Sequence, residues 1–164
     1  MAKNTSDPKI WYQIINKLNQ TKLKYVLVGG AALIIHGLPR STLDIDIYIP
    51  AKKEALDKLF KISDSLELAT KQKSILKISD SPELFVDQWL CFSYKGQDIL
   101  DVYLSGEKEF KKLYTNSIQK KDKTISVRVA SLKDIEAMKK ESGRPIDLAD
   151  IEFIKEAKKY KKSA

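Results

Sequence analysis

The 164-residue sequence predicts an α/β protein, a sheet whose strands alternate with helices and which ends in a helical C-terminal segment. Three observations carry that prediction. Short runs rich in β-branched residues recur, at Tyr25–Gly29, Leu43–Ile49 and Asp98–Leu104. Between them lie stretches whose apolar residues repeat at helical spacing. Beyond Ser131 only helical patterns follow.

Taken in order, Asp7-Pro8 offers an N-cap and a proline at the first helical position. Ile10, Trp11, Ile14, Ile15 and Leu18 then fall on one helical face. Tyr25–Gly29 is a short apolar strand. Gly30–His36 reads as a helix closed by Gly37, with Pro39 just beyond. Leu43–Ile49 alternates as a strand should. Pro50 ends it and opens an amphipathic helix over about 51–64, with Ala55, Leu56, Leu59 and Phe60 inward. Residues 65–83 are polar, and Ser79-Asp80-Ser81-Pro82 marks a turn. Phe85–Phe92 and Asp98–Leu104 are predicted to form a hairpin about Tyr94-Lys95-Gly96-Gln97. Glu107–Tyr114 is helical in pattern and Ile125–Val129 is a strand. Ser131 caps a helix from Leu132 to about Glu141, Gly143-Arg144-Pro145 breaks it, and Asp147 starts a last helix through Lys162. No repeat or low-complexity linker interrupts the chain. The expectation is one domain over 1–164, with a core at about 22–130 and a helical segment at about 131–164.

A chain of this length buries roughly 70% of its unfolded surface, enough for a proper core. The single cysteine, Cys91, excludes an internal disulfide and suits a reducing, cytoplasmic compartment. With one histidine, His36, a zinc site of His and Cys ligands is excluded. No apolar run approaches the ~20 residues that span a bilayer. The opening residues MAKNTSDPKIWYQ hold no signal-peptide core, so the expected protein is cytoplasmic and uses no membrane. The net charge of +8 is uneven. Residues 1–106 carry 14 Lys/Arg against 12 Asp/Glu, and residues 107–164 carry 16 against 10. A basic half suits RNA or a phosphate-bearing substrate, and equally a lysine-rich solubilising surface of the kind AT-rich bacterial coding produces.

The least ordinary stretch is YVLVGGAALIIHGLPRSTLDIDIYIP, residues 25–50. It sets Asp44 and Asp46 in an otherwise apolar strand. A period of two puts both on one face, with Cα atoms about 6.5–7 Å apart. Two desolvated like charges left unpaired would cost several kcal/mol. A lysine or arginine could meet them, but a divalent cation such as Mg²⁺ does so best, with phosphate oxygens completing its shell. The alternative is a solvated acidic face on an edge strand. Upstream, an apolar strand ends on Gly29-Gly30 and runs straight into a helix. Glycines let a backbone approach a ligand, and a helix start offers N–H groups to phosphate. A phosphate site beside a metal site makes a site for a nucleoside triphosphate.

An apolar strand, Gly29-Gly30, 13 intervening residues and then Asp44-Ile45-Asp46-Ile47 resembles the signature of the DNA polymerase β-type nucleotidyltransferase superfamily. Ala31 fits the small residue that follows the glycines in that family. The resemblance implies an α/β (α+β) nucleotidyltransferase core, a short mixed twisted sheet flanked by helices, with C-terminal helices after it. It implies a third carboxylate on a later strand. Asp101, in Ile99-Leu100-Asp101-Val102-Tyr103, is the candidate, with Asp98 and Asp87 as fallbacks. Asp44, Asp46 and Asp101 would then be the catalytic residues and would hold two Mg²⁺ ions, while Gly29, Gly30 and Ala31 seat the triphosphate. The segment His36–Thr42 resembles the one before the Asp pair in small bacterial members. Arg40 and Thr42 join the phosphate site on that ground. Arg40 is equally readable as a surface residue, Thr42 as the strand start, and His36 as a packed helix end.

Residues 139–151, KKESGRPIDLADI, resemble the helix junction of small bacterial abortive-infection toxin-type nucleotidyltransferases. The break aims Lys139 and Arg144 at whatever lies beside it, which suits a triphosphate. Asp147 is also a natural N-cap, and Asp147 and Asp150 can hold the two cations in place. Ile146 stands where the family carries a basic residue. The implied activity moves a nucleoside monophosphate from a triphosphate such as ATP to a hydroxyl of RNA, protein or a small molecule such as an aminoglycoside. The basic C-terminal half favours nucleic acid. Two rivals remain: a catalytically silent nucleotide- or RNA-binding protein of this fold, such as a toxin–antitoxin component, and a plain lysine-based RNA binder. The oligomeric state is open.

Overall fold

The structure is a computed structural model that describes residues 8–72, 79–122 and 124–163. The predicted N-cap Asp7 lies outside them. Helix α1 (Pro8–Gln20) buries Ile10, Ile14, Ile15 and Leu18, the face its spacing predicts. Seven strands follow among the described residues: β1 (Val26–Val28), β2 (Ile45–Pro50), β3 (Ala69–Thr70), β4 (Trp89–Tyr94), β5 (Gln97–Ser105), β6 (Ile118–Asp122) and β7 (Ile125–Val129). They form one sheet in the order β3-β4-β5-β2-β1-β7-β6. The pairs β2·β5 and β1·β7 are parallel and the others antiparallel, so the sheet is mixed. Helices α2 (Gly29–Ile35), α3 (Lys53–Ser65), α4 (Glu107–Asn116), α5 (Leu132–Ser142) and α6 (Pro145–Ser163) complete the α/β architecture, with two helices at the C-terminal end.

Alternation in the two central strands decides where the core sits. Ile45, Ile47 and Ile49 of β2 and Leu100, Val102 and Leu104 of β5 are all buried. Each contributes roughly 1.5–3 kcal/mol of burial, and a one-residue slip would turn all of them outward. That burial fixes the opposite face, which carries Asp46 and Tyr48 on β2 and Asp101 and Tyr103 on β5. The β4–β5 turn puts Lys95 and Gly96 at φ 50° and 81°. Positive φ at both central residues marks the tight hairpin expected there.

The structure departs from the sequence reading at several edges. The strand expected from Phe85 begins only at Trp89. Pro82–Phe85 instead forms a single 3₁₀ turn, and Asp87 takes φ 69° as its N–H bonds the Leu104 carbonyl at 2.7 Å. Strand β2 starts at Ile45 rather than Leu43, with Pro50 as its last residue opposite Ser105. The last helix begins at Pro145, not Asp147. Strands β3 and β6 had no signature: the first is two residues long, and Ile118-Gln-Lys-Lys-Asp122 lies on the sheet edge, where lysines are usual and alternation is not needed. No helix among the described residues is long and apolar enough to cross a membrane.

Candidate active site

Parallel pairing of β2 with β5 places Asp46 directly opposite Asp101. Asp44 lies one residue ahead of β2, where Thr42 orients it: the Thr42 hydroxyl donates to the Asp44 carboxylate at 3.1 Å. Each of the three acids offers a carboxylate oxygen, and these oxygens lie within 4.8 Å of one another. The fallback acids do not join them. Asp98 pairs with Lys71 at 2.9 Å, and Asp87 accepts from the Tyr103 hydroxyl at 2.6 Å. Cys91 lies across from Asp101 on β4. Burial and the Asp101 carboxylate push the thiol up to about 11. His36 is a packed helix end, its Nε2 2.8 Å from the Ala130 carbonyl oxygen.

The acids sit against the glycine bend. Val28 pairs with Asp46, and Gly29 turns the chain at φ 71°. A Cβ on Gly29 would overlap the Asp46 carboxylate. Glycine is therefore required twice, by conformation and by space. Gly30 packs close to Thr42 and to the Arg40 guanidinium. Ala31 is buried and does not line the cavity. Among the described residues, no lysine or arginine is ion-paired with Asp44, Asp46 or Asp101. The consequence shows in Asp46. Burial first, then the Asp44 and Asp101 carboxylates, push its carboxyl up to about 7, while Lys139 pulls the other way.

The cations lie across the cavity. Gly143, at φ 64°, ends α5, and α6 starts at Pro145. The buried Lys139 ammonium sits 2.7 Å from Asp150 Oδ2 and 3.4 Å from Asp147 Oδ1. The Arg40 Nε–H donates to the other Asp150 oxygen at 3.0 Å. Arg144 donates to Asp147 through its backbone N–H at 3.1 Å and Nε–H at 2.8 Å. Burial alone would raise the Asp147 carboxyl, yet hydrogen bonds from Arg144 and Ser142 outweigh it and hold the group at about 2. Asp147 and Asp150 thus hold the cations, as the sequence allowed.

These pieces line one cavity of about 760 Å³, walled by β2 and β5 on one side and by α5 and the start of α6 on the other. It includes Gly29, Gly30, Arg40, Thr42, the three acids, Lys139 and Arg144. It also includes Tyr48, Trp89, Tyr103 and Glu141, which the sequence reading left out. The signal for two of them was the strand period, since Tyr48 follows Asp46 by two residues and Tyr103 follows Asp101 by two. Trp89 needed the β4–β5 register, which sets it opposite Tyr103.

The sequence over residues 11–158 matches the model of a family described as nucleotidyltransferase of unknown function. The chain belongs to this family. No curated protein matches its sequence. Among solved structures the fold is similar to that of TM1012, a candidate nucleotidyltransferase from Thermotoga maritima, at TM-score 0.58 and 14% identity over 96% of this chain and 93% of that one. It is similar to ANT(2″)-Ia, solved with adenylyl-2″-tobramycin, at TM-score 0.60 and 16% identity over 90% and 84% of the two chains. It is also similar to an antigenic nucleotidyltransferase-like protein of Paracoccidioides brasiliensis, at TM-score 0.57 and 16% identity over 92% and 77%. The fold is that of the nucleotidyltransferases, consistent with the polymerase β-type superfamily.

Proposed function

We propose that this family member is a Mg²⁺-dependent enzyme that transfers a nucleoside monophosphate from a nucleoside triphosphate to an acceptor hydroxyl. The observation that carries the reading is the convergence of Asp44, Asp46 and Asp101 within 4.8 Å, against a glycine bend. The residues fit a hard divalent cation: carboxylates only, partly buried, with no chain cation bonded to them among the described residues. Asp44, Asp46 and Asp101 would hold two such ions. When bound, the metal neutralises the triphosphate and acidifies the acceptor hydroxyl.

The chain's own residues do the rest. The first-turn N–H groups of α2 have no intrahelical partner and face phosphate oxygens at the Gly29–Gly30 bend. Arg40, beside Gly30 and held by Asp150, and Arg144, held by Asp147 at the α5–α6 junction, supply positive charge to the same oxygens. Lys139, buried between two carboxylates, positions that wall. Thr42 orients Asp44. The acceptor oxygen bonds to the α-phosphorus, the bond to the bridging oxygen breaks, pyrophosphate leaves, and the acceptor proton passes to Asp101. The adenylylated product in the ANT(2″)-Ia complex is the kind of outcome this chemistry gives.

The test is incubation with each labelled nucleoside triphosphate, Mg²⁺ and cell extract. Label should move to one acceptor with the native protein and not with Asp46→Asn. Equal labelling by both proteins, or none by the native one, would overturn the reading. Tight Mg²⁺–nucleotide binding without transfer would mark a silent nucleotide binder of the same fold, as a toxin–antitoxin component could be.

A further inference from the structure

The cavity has two chemically different ends. At one lie Gly29, Gly30 and Arg40, which offer N–H groups and positive charge. At the other, the row of side chains next to the acids is aromatic. Tyr48 stacks on Tyr103 with centroids 4.3 Å apart and planes 27° apart. Trp89 meets Tyr103 edge-on at 5.0 Å and Tyr48 at 6.0 Å. Trp89 is 44% exposed, so the shelf is accessible from solvent. The charge beside it is negative: Glu141 lines the cavity, and Asp87 accepts from Tyr103. After burial, these carboxylates are among the groups that push the Tyr48 and Tyr103 hydroxyls up.

We infer that the Tyr48–Tyr103–Trp89 shelf is the acceptor subsite, and that it takes a cationic, hydroxyl-bearing ring compound of the amino-sugar class. This assignment rests on the nucleotidyl-transfer reading. Position supports it, because the shelf lies one same-face step along β2 and β5 from the acids, about 6.5–7 Å. A ring lying there can bring a hydroxyl to them. Chemistry supports it too. Aromatic faces attract ammonium groups, Glu141 adds to that attraction, and the row itself contains no lysine or arginine to pair with a phosphate. Nor does the basic C-terminal half reach it. Among the described residues after 106, only Lys139 and Arg144 of the lysines and arginines line the cavity, and both are bonded to Asp147. The tilt toward nucleic acid taken from net charge does not extend to this end of the site.

The chain has two tryptophans, and Trp11 packs on α1 away from the cavity, so Trp11→Phe leaves Trp89 as sole fluorescence reporter. The probes are a glucosamine trisaccharide, maltotriose, decauridylate RNA, and a non-hydrolysable ATP analogue with Mg²⁺. The amino sugar should perturb Trp89 and bind about threefold more tightly than maltotriose, and Glu141→Gln, an exposed change, should erase that difference. Its affinity should be unchanged when the analogue is saturating. Absence of a response to the amino sugar, or tighter binding of decauridylate to the shelf, overturns the assignment. Displacement of the sugar by the analogue does so as well, by making the shelf the nucleobase seat. If calorimetry detects no binding of the analogue itself, it is the nucleotidyl-transfer reading that falls.

Discussion

Two clusters of charge line the cavity, one partly buried and one built on buried aspartates, and they are handled in opposite ways. On the sheet, Asp44, Asp46 and Asp101 converge with no bonded cation among the described residues. At the α5–α6 junction, Asp147 and Asp150 are shared among Arg40, Lys139 and Arg144. Asp46 and Asp147 are the same residue type, and burial is the leading influence on both. One is nevertheless pushed up to about 7 and the other held at about 2. The difference lies in the partners. A closed network satisfies itself and shapes a wall. An open one carries a standing electrostatic cost that a ligand from outside can relieve.

The largest effect that would break this contrast is on activity. Asp101→Asn should lower nucleotidyl transfer at least about a hundredfold, since even groups that only orient metal ligands are worth 10–100-fold. Its thermal stability in the absence of metal should stay level or rise. A steady-state assay paired with a melting curve checks both. The mirror experiment is Asp150→Ala, which removes the shared partner of Lys139 and Arg40 and should cost about 3 kcal/mol in urea unfolding. If the two clusters were alike, both substitutions would destabilise.

The pH dependence sharpens the comparison, because the signs are opposite. The Asp46 carboxyl is raised, so its contribution favours the fold at low pH and is lost as pH climbs from about 4 through about 7. Without divalent metal, Asp46→Asn should therefore be more stable than the native protein at pH 8, by on the order of 2 kcal/mol, and this gain should vanish near pH 4. Asp147 is depressed, so its contribution is present above about pH 4 and lost as pH falls toward 2. Chemical denaturation across pH with each variant separates the two. The smallest expected effect belongs to Lys140, neighbour of the buried Lys139 but exposed and paired with Glu136 at 3.2 Å. Lys140→Ala should change stability by no more than about 0.5 kcal/mol.

How much of this was legible in the sequence follows from the range of each interaction. The Asp44/Asp46 pair, the glycine bend and the apolar face of β2 are local, and a period of two displays them. Asp101 needed the resemblance as well, because nothing local tells a ligand from an edge-strand acid. Asp147 and Asp150 could be tied to Lys139 and Arg144 since all four lie within one helix junction. Arg40 could not be tied to Asp150, 110 residues away, and stood equally as a surface residue. Trp89 escaped because its neighbours are set by strand register, and the strand it begins was expected four residues earlier.

The Arg40–Asp150 bond also joins the segment just ahead of Asp44 to the final helix. A chain clipped after Gly143 would keep all three acids and both glycines of the bend, yet Arg40 would lose its tether and the far wall would lose Arg144, Ile146 and Asp147. The last helix is thus a buttress for residues laid down a hundred positions earlier, and trimming the tail disarms the front of the molecule.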